Sequence, residues 1–125
     1  MLKKVIFFLT LTYTLVLTLV CLVRLNNLPD IGVSFGDKIF HFLAYVVLTI
    51  LWFGTWHYRF GLKTNKSIVY ALVFAIIFGI IIEVLQDTLT DYRTLDAHDI
   101  FANSLGALLA SIVLWFKGTL QVKNS

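Results

Sequence analysis

The sequence predicts an all-α integral membrane protein folded as a four-helix bundle. Three observations lead there: 59% of the 125 residues are hydrophobic and only 14% charged, the mean hydropathy is +0.89, and the apolar residues gather into four long runs. A soluble domain is about half apolar and a quarter charged, because a charged shell must cover its core. This chain has too few charges for such a shell. Its 15% aromatic content and single proline also exclude disordered, collagen-like and low-complexity classes. The lone Cys21 excludes an internal disulfide and a cysteine-based zinc site. A formal charge of +3, spread along the chain, excludes a nucleic-acid platform.

A bilayer core of about 30 Å takes about 20 apolar residues as helix, because backbone groups in lipid must bond internally. The runs 5–23, 40–56, 67–85 and 99–116 fit that length. They place helices at 5–23, 36–56, 67–86 and 97–116 within a single transmembrane domain spanning 1–125. The first run follows Lys3 and Lys4 as a signal peptide would, with Cys21 in the place of a lipoprotein cysteine. It is longer than a signal h-region, and Thr18-Leu19-Val20 offers no small residue before Cys21, so a retained helix is predicted. Helix two opens on Ser34-Phe35-Gly36-Asp37, which has the form of a capping box. Helix three carries Glu83 as its one charge within the run. Helix four opens on Asp96 as cap with Asp99 in its first turn, where carboxylates suit the positive end of the dipole. The stripes Ala102, Gly106, Ala110 and Asn103, Ala107, Ser111 give it a small-residue surface over which another helix can pack closely.

Orientation follows from lysine and arginine in the short loops. Seven of them (Lys3, Lys4, Arg59, Lys63, Lys66, Lys117, Lys123) lie in the N-terminus, second loop and C-terminus, against three (Arg24, Lys38, Arg93) in the other two loops. Both termini are therefore predicted in the cytoplasm. Trp52, Trp56, Tyr58, Tyr70 and Trp115 then fall at the inner boundary, where amphipathic rings prefer to sit. All seven acids, Asp30, Asp37, Glu83, Asp87, Asp91, Asp96 and Asp99, fall on the outer side. Acids contribute little to orientation, so their segregation points to function.

Asp37, His41 and Tyr45 share one stripe of helix two at i, i+4 and i+8, with Lys38 beside it. Glu83 and Gln86 share a face of helix three, with Gly79 one turn deeper. Asp96, Asp99 and Asn103 descend helix four, and Arg93 precedes them. Each group alone has a plain explanation as a cap, an interfacial side chain or a snorkelling carboxylate. A carboxylate at membrane depth nevertheless costs a few kcal/mol and normally faces the bundle interior or water. Three stripes ending at one level predict a shared, outward-open polar pocket. The N-termini of helices two and four favour an anion there, while the carboxylates favour a cation. A metal-bridged phosphate or a zwitterionic headgroup meets both needs.

Asp37-Lys38-x-x-His41 with Tyr45, then Glu83-x-x-Gln86, then Arg93 followed by Asp96-x-x-Asp99-x-x-x-Asn103-x-x-Gly106, resembles the VanZ-like family of small bacterial membrane proteins. The resemblance covers about residues 30 to 115, and its specificity lies in the combination of motifs. It implies a bacterial cell membrane location and a cell-envelope role; the family's named member is associated with resistance to the glycopeptide teicoplanin.

Three functional classes stay open from sequence. In a binding or envelope-modifying protein, Arg93 and Lys38 hold the phosphate of a lipid-linked precursor or phospholipid headgroup, Asp96, Asp99 and Glu83 bind a cation or sugar hydroxyls, and His41, Asn103 and Gln86 orient the ligand, with Asp37 and Tyr45 among its binding residues. In an enzyme on the same headgroup, His41 is a general base and Glu83 the acid, and the oxygen ligands Asp96, Asp99 and Glu83 suit Mg²⁺ or Ca²⁺. In a structural protein the cluster fixes helix order for docking to another membrane protein or a second copy of the chain. No serine elbow, cysteine–histidine pair or phosphate-binding glycine loop is present.

Overall fold

The apolar runs close their backbone hydrogen bonds as four long helices. The computed structural model of the protein describes residues 2–23, 34–89 and 97–124. Helix α1 is Leu2–Val23, α2 is Ser34–Gly54, α3 is Thr64–Leu89 and α4 is Ala97–Asn124. A π-helical segment, Thr55–Arg59, continues α2. Each of the four helices includes a stretch long and apolar enough to cross a membrane. The chain is thus an all-α four-helix bundle of the multi-pass membrane type.

The helices run past their apolar stretches. α1 includes Lys3 and Lys4, α3 begins at Thr64, and α4 continues through Lys117 to Asn124. Apolarity marks where hydrocarbon begins and ends. Helix length follows backbone bonding, which no proline interrupts beyond that boundary. The α2–α3 connection is tight: Phe60 donates its backbone N–H to Thr55 O at 3.1 Å and Leu62 to Trp56 O at 3.0 Å. Gly61 there takes φ 73°, a left-handed conformation that glycine adopts without steric cost.

α2 is the hub. Its most extensive contact is with α4, and it also packs on α3 and α1; α1 touches α2, the π-helical segment and α3. The core holds Tyr45, Leu48, Ala71, Ala75, Ile82 and Ala107. Small side chains let the helices approach closely, which sustains association where lipid tails are as apolar as leucine. Both small-residue stripes of α4 are buried. At Gly106 the approach is closest: a Cβ there would run into the Phe42 carbonyl oxygen and lie 3.2 Å from that carbonyl's carbon.

α1 is held by hydrogen bonds. The Tyr13 hydroxyl donates to Ala44 O at 2.6 Å, Trp52 Nε1 to Thr14 Oγ1 at 3.0 Å, and Thr55 Oγ1 to Thr10 Oγ1 at 2.8 Å. Thr10 and Thr55 are fully buried. Trp52 turns into the core and not outward: it is buried, with its ring centroid 4.5 Å from that of Phe74 and its indole N–H satisfied by α1. Tyr58, Tyr70 and Trp115 are exposed, as residues meeting lipid or its headgroups are.

Candidate functional site

α2 and α4 both start at the same end of the bundle, and α3 runs back toward it. Helical spacing then stacks their polar residues in two layers, one turn apart. The first layer holds Lys38 and His41 from α2, Glu83 from α3 and Asp99 from α4. The second holds Tyr45, Gly79 and Asn103, each four residues along from His41, Glu83 and Asp99 in turn.

In the first layer, Lys38 Nζ donates to Asp99 Oδ1 at 2.6 Å, and His41 Nε2 stands 3.7 Å from Asp99 Oδ2. Glu83 completes the group: one ligand-capable atom from each of His41, Glu83 and Asp99 lies within 4.8 Å of the others. All three side chains are buried to 2% exposure or less, whereas the Lys38 side chain keeps 27%. Asp99 sits in the first turn of α4, where the helix dipole favours its charge. Lys38 adds a charge-assisted hydrogen bond of the stronger kind. The Phe40 ring meets the His41 imidazole edge-on at 5.7 Å.

The second layer packs closely over Gly79. A Cβ there would lie 3.1 Å from Asn103 Nδ2 and 3.2 Å from Tyr45 Cε2. Both Tyr45 and Asn103 are buried, and among the described residues the Tyr45 hydroxyl and both ends of the Asn103 amide have no hydrogen-bond partner. A buried polar group left unsatisfied costs about 1–3 kcal/mol, so these atoms favour any group that brings hydrogen bonds to them.

Of the residues singled out in the sequence, His41, Tyr45, Glu83, Asp99, Asn103 and Lys38 come together. The side chains of Asp37 and Gln86, and the whole of Arg93 and Asp96, lie outside the described residues. The oxygen set of Asp96, Asp99 and Glu83 is therefore seen only in part, and beside it stands the His41 imidazole, which the sequence suggested as a ligand-orienting group or a general base and not as a metal ligand. His98 is exposed on α4. His57 lies with the π-helical segment, its Nδ1 2.8 Å from Leu62 O. Sequence reading also missed the threonine ladder of α1. Thr10, Thr14 and Thr18 recur every four residues, and each hydroxyl donates to the carbonyl four residues earlier at 2.8 Å. The spacing was the available signal.

Chemically, the first layer combines an imidazole, two carboxylates and an ammonium, donors that can hold a cation or pass a proton. The VanZ/LLP1 family model matches residues 2–118, adding α1 to the stretch that the motifs alone had indicated. No curated protein and no solved structure matches the chain. A match over nearly the whole length, on a bundle whose polar residues converge as described, makes this chain a member of the VanZ/LLP1 family.

Proposed function

We propose that this VanZ/LLP1-family protein binds the phosphate-bearing headgroup of a lipid-linked or phospholipid envelope component at the Lys38–His41–Glu83–Asp99 end of its bundle. The loop charges support placing that end on the outer side of a bacterial cell membrane, with both termini cytoplasmic. One observation carries the reading: three helices contribute buried ionisable side chains to a single group within 4.8 Å. Lipid-facing or snorkelling residues have no reason to meet. A cluster that served only to fix helix order would gain by satisfying its own atoms, yet Tyr45 and Asn103 present buried polar atoms with no partner among the described residues. The polar end thus reads as a place prepared for a ligand. Lys38, the most exposed of the four, supplies an ammonium to the phosphate, Tyr45 and Asn103 offer hydrogen bonds deeper in, and Asp37, Gln86 and Arg93 belong to the same rim by sequence.

Catalysis on the same headgroup is the second reading, and His41 beside Asp99 favours it. An imidazole oriented by a carboxylate is a recurrent general base. The binding reading requires no turnover; the catalytic one requires release of headgroup or phosphate with a pH profile that changes on His41→Ala.

Native mass spectrometry of gently purified protein tests binding. A short polyprenyl phosphate and phosphatidylglycerol are offered beside the matching polyprenol, which has the same chain and no phosphate. We expect retention of a phosphate lipid over the alcohol by tenfold or more, and loss of that preference in Asn103→Ala and Asp99→Asn variants that still unfold cooperatively. Equal retention of alcohol and phosphate lipids would overturn the proposal.

A further inference from the structure

We infer that His41, Glu83 and Asp99 form a three-ligand site for a divalent metal ion of the Zn²⁺ class, and that Lys38 is its built-in competitor. The inference rests on reading the polar end as a binding site and names the cation that belongs there. The donor set decides the class. One imidazole nitrogen with two carboxylates suits zinc and its first-row neighbours, whereas Mg²⁺ and Ca²⁺ prefer sites built wholly from oxygen. Three protein ligands with a fourth position open is the pattern of zinc sites that take an exogenous group.

Geometry agrees. Zinc–ligand bonds of about 2.0–2.2 Å in a tetrahedron place neighbouring ligand atoms about 3.4 Å apart. His41 Nε2 and Asp99 Oδ2 are already 3.7 Å apart, and the whole set fits within 4.8 Å. A shift of about 1 Å in the ligand atoms would close it. The ligands come from three helices, so a bound ion would also cross-link the bundle. Asn103, buried four residues beyond Asp99 with both amide ends unpartnered among the described residues, is placed to hydrogen-bond a group carried on the open position.

Charge gives Lys38 its role. With His41 neutral, the Lys38 ammonium and the carboxylates of Asp99 and Glu83 sum to minus one among the described side chains of this layer, a balance that disfavours phosphate while Lys38 is held by Asp99. A divalent ion turns that balance to plus one. The ion must take Asp99 from Lys38 Nζ, now 2.6 Å from Oδ1, and the released ammonium, on a side chain already 27% exposed, then turns to the phosphate. Metal and anionic headgroup would strengthen each other's binding by the same factor, as linkage requires.

The test titrates Zn²⁺ alone, against a chromophoric chelator, into detergent-solubilised, tag-free protein stripped with EDTA, with Mg²⁺ and Ca²⁺ as comparisons. One Zn²⁺ per chain is expected, bound in preference to either comparison ion. His41→Ala should weaken it by more than about a hundredfold, beyond the roughly 10–100-fold usual for loss of a residue that only supports a ligand. Lys38→Met should tighten it by about tenfold, as removal of a modest competing ion pair implies; because this variant gains affinity, misfolding cannot imitate it. The absence of stoichiometric zinc, or zinc binding unchanged in both variants, would overturn the inference. If zinc fails while phosphate lipids are still preferred over polyprenol, the metal assignment alone is lost. If both fail, the binding-site reading falls with it.

Discussion

Asp99→Ala is expected to destabilise the protein by about 3 kcal/mol, at the lower end of the 3–5 kcal/mol typical when one partner of a buried ion pair is removed. Asp99 is 1% exposed and takes both the Lys38 ammonium at 2.6 Å and the His41 imidazole at 3.7 Å. Alanine takes away the carboxylate that both groups approach. The lower end applies because the Lys38 side chain, 27% exposed, can carry its charge toward headgroup water on its aliphatic stem. Adding Lys38→Met removes the stranded cation and should recover part of the loss, about 1 kcal/mol or more. Equilibrium unfolding in mixed micelles measures both changes. A loss below about 0.5 kcal/mol for Asp99→Ala, the range of ordinary surface substitutions, would show that Asp99 does not hold these partners.

Gly106→Ala is expected to be nearly as damaging, against the usual sign. In an exposed helix interior this substitution gains about 1 kcal/mol, because alanine is the better helix former. Here the added methyl would collide with the Phe42 carbonyl oxygen and lie 3.3 Å from Val46 N. Both are backbone atoms of α2, so no rotamer change relieves the clash and the helices must separate. Overpacking of this kind costs about 1–3 kcal/mol. Gly54→Ala is the control in the same chain: its Cβ would meet only Ile6 Cγ2 at 3.7 Å, an ordinary contact, and that variant should hold or gain stability. Opposite signs for the two substitutions are the expected result of paired unfolding measurements. A stabilised Gly106→Ala would show that α2 and α4 do not touch there. Because Gly106 lies two turns below Asp99, separating the helices should also abolish preferential retention of phosphate lipids.

The same contact explains what could and could not be read in the sequence. The four spans were legible because hydrocarbon selects for long uncharged runs, and the polar stripes because i and i+4 share a helix face. Asp99 with Asn103, and His41 with Tyr45, were therefore visible as pairs within one helix. Registration between helices was not. That His41 meets Asp99 and Glu83 depends on how far α4 slides along α2, and the Gly106–Phe42 approach sets that offset. The burial of Trp52 was illegible for a related reason. Amphipathicity suits an indole equally to a headgroup boundary or to a core with one acceptor, and Thr14 of α1 supplies that acceptor. Helix ends were underestimated because hydropathy reports the solvent around a helix and says nothing of its hydrogen bonds.

A shared site requires the interior faces of α3 and α4 to meet beneath Asp99. A disulfide reports that. The Cβ position at Gly79 lies 3.3 Å from Asn103 Cβ, close to the 3.5–4.5 Å at which cysteines bridge. In a Cys21→Ala background, Gly79→Cys with Asn103→Cys should oxidise rapidly within one chain, read by gel mobility after proteolysis between the helices. Ile81→Cys with Leu105→Cys, both on exposed apolar positions, should remain reduced. If the first pair bridges no faster than the second, the polar residues do not share one interior and the proposed site does not exist.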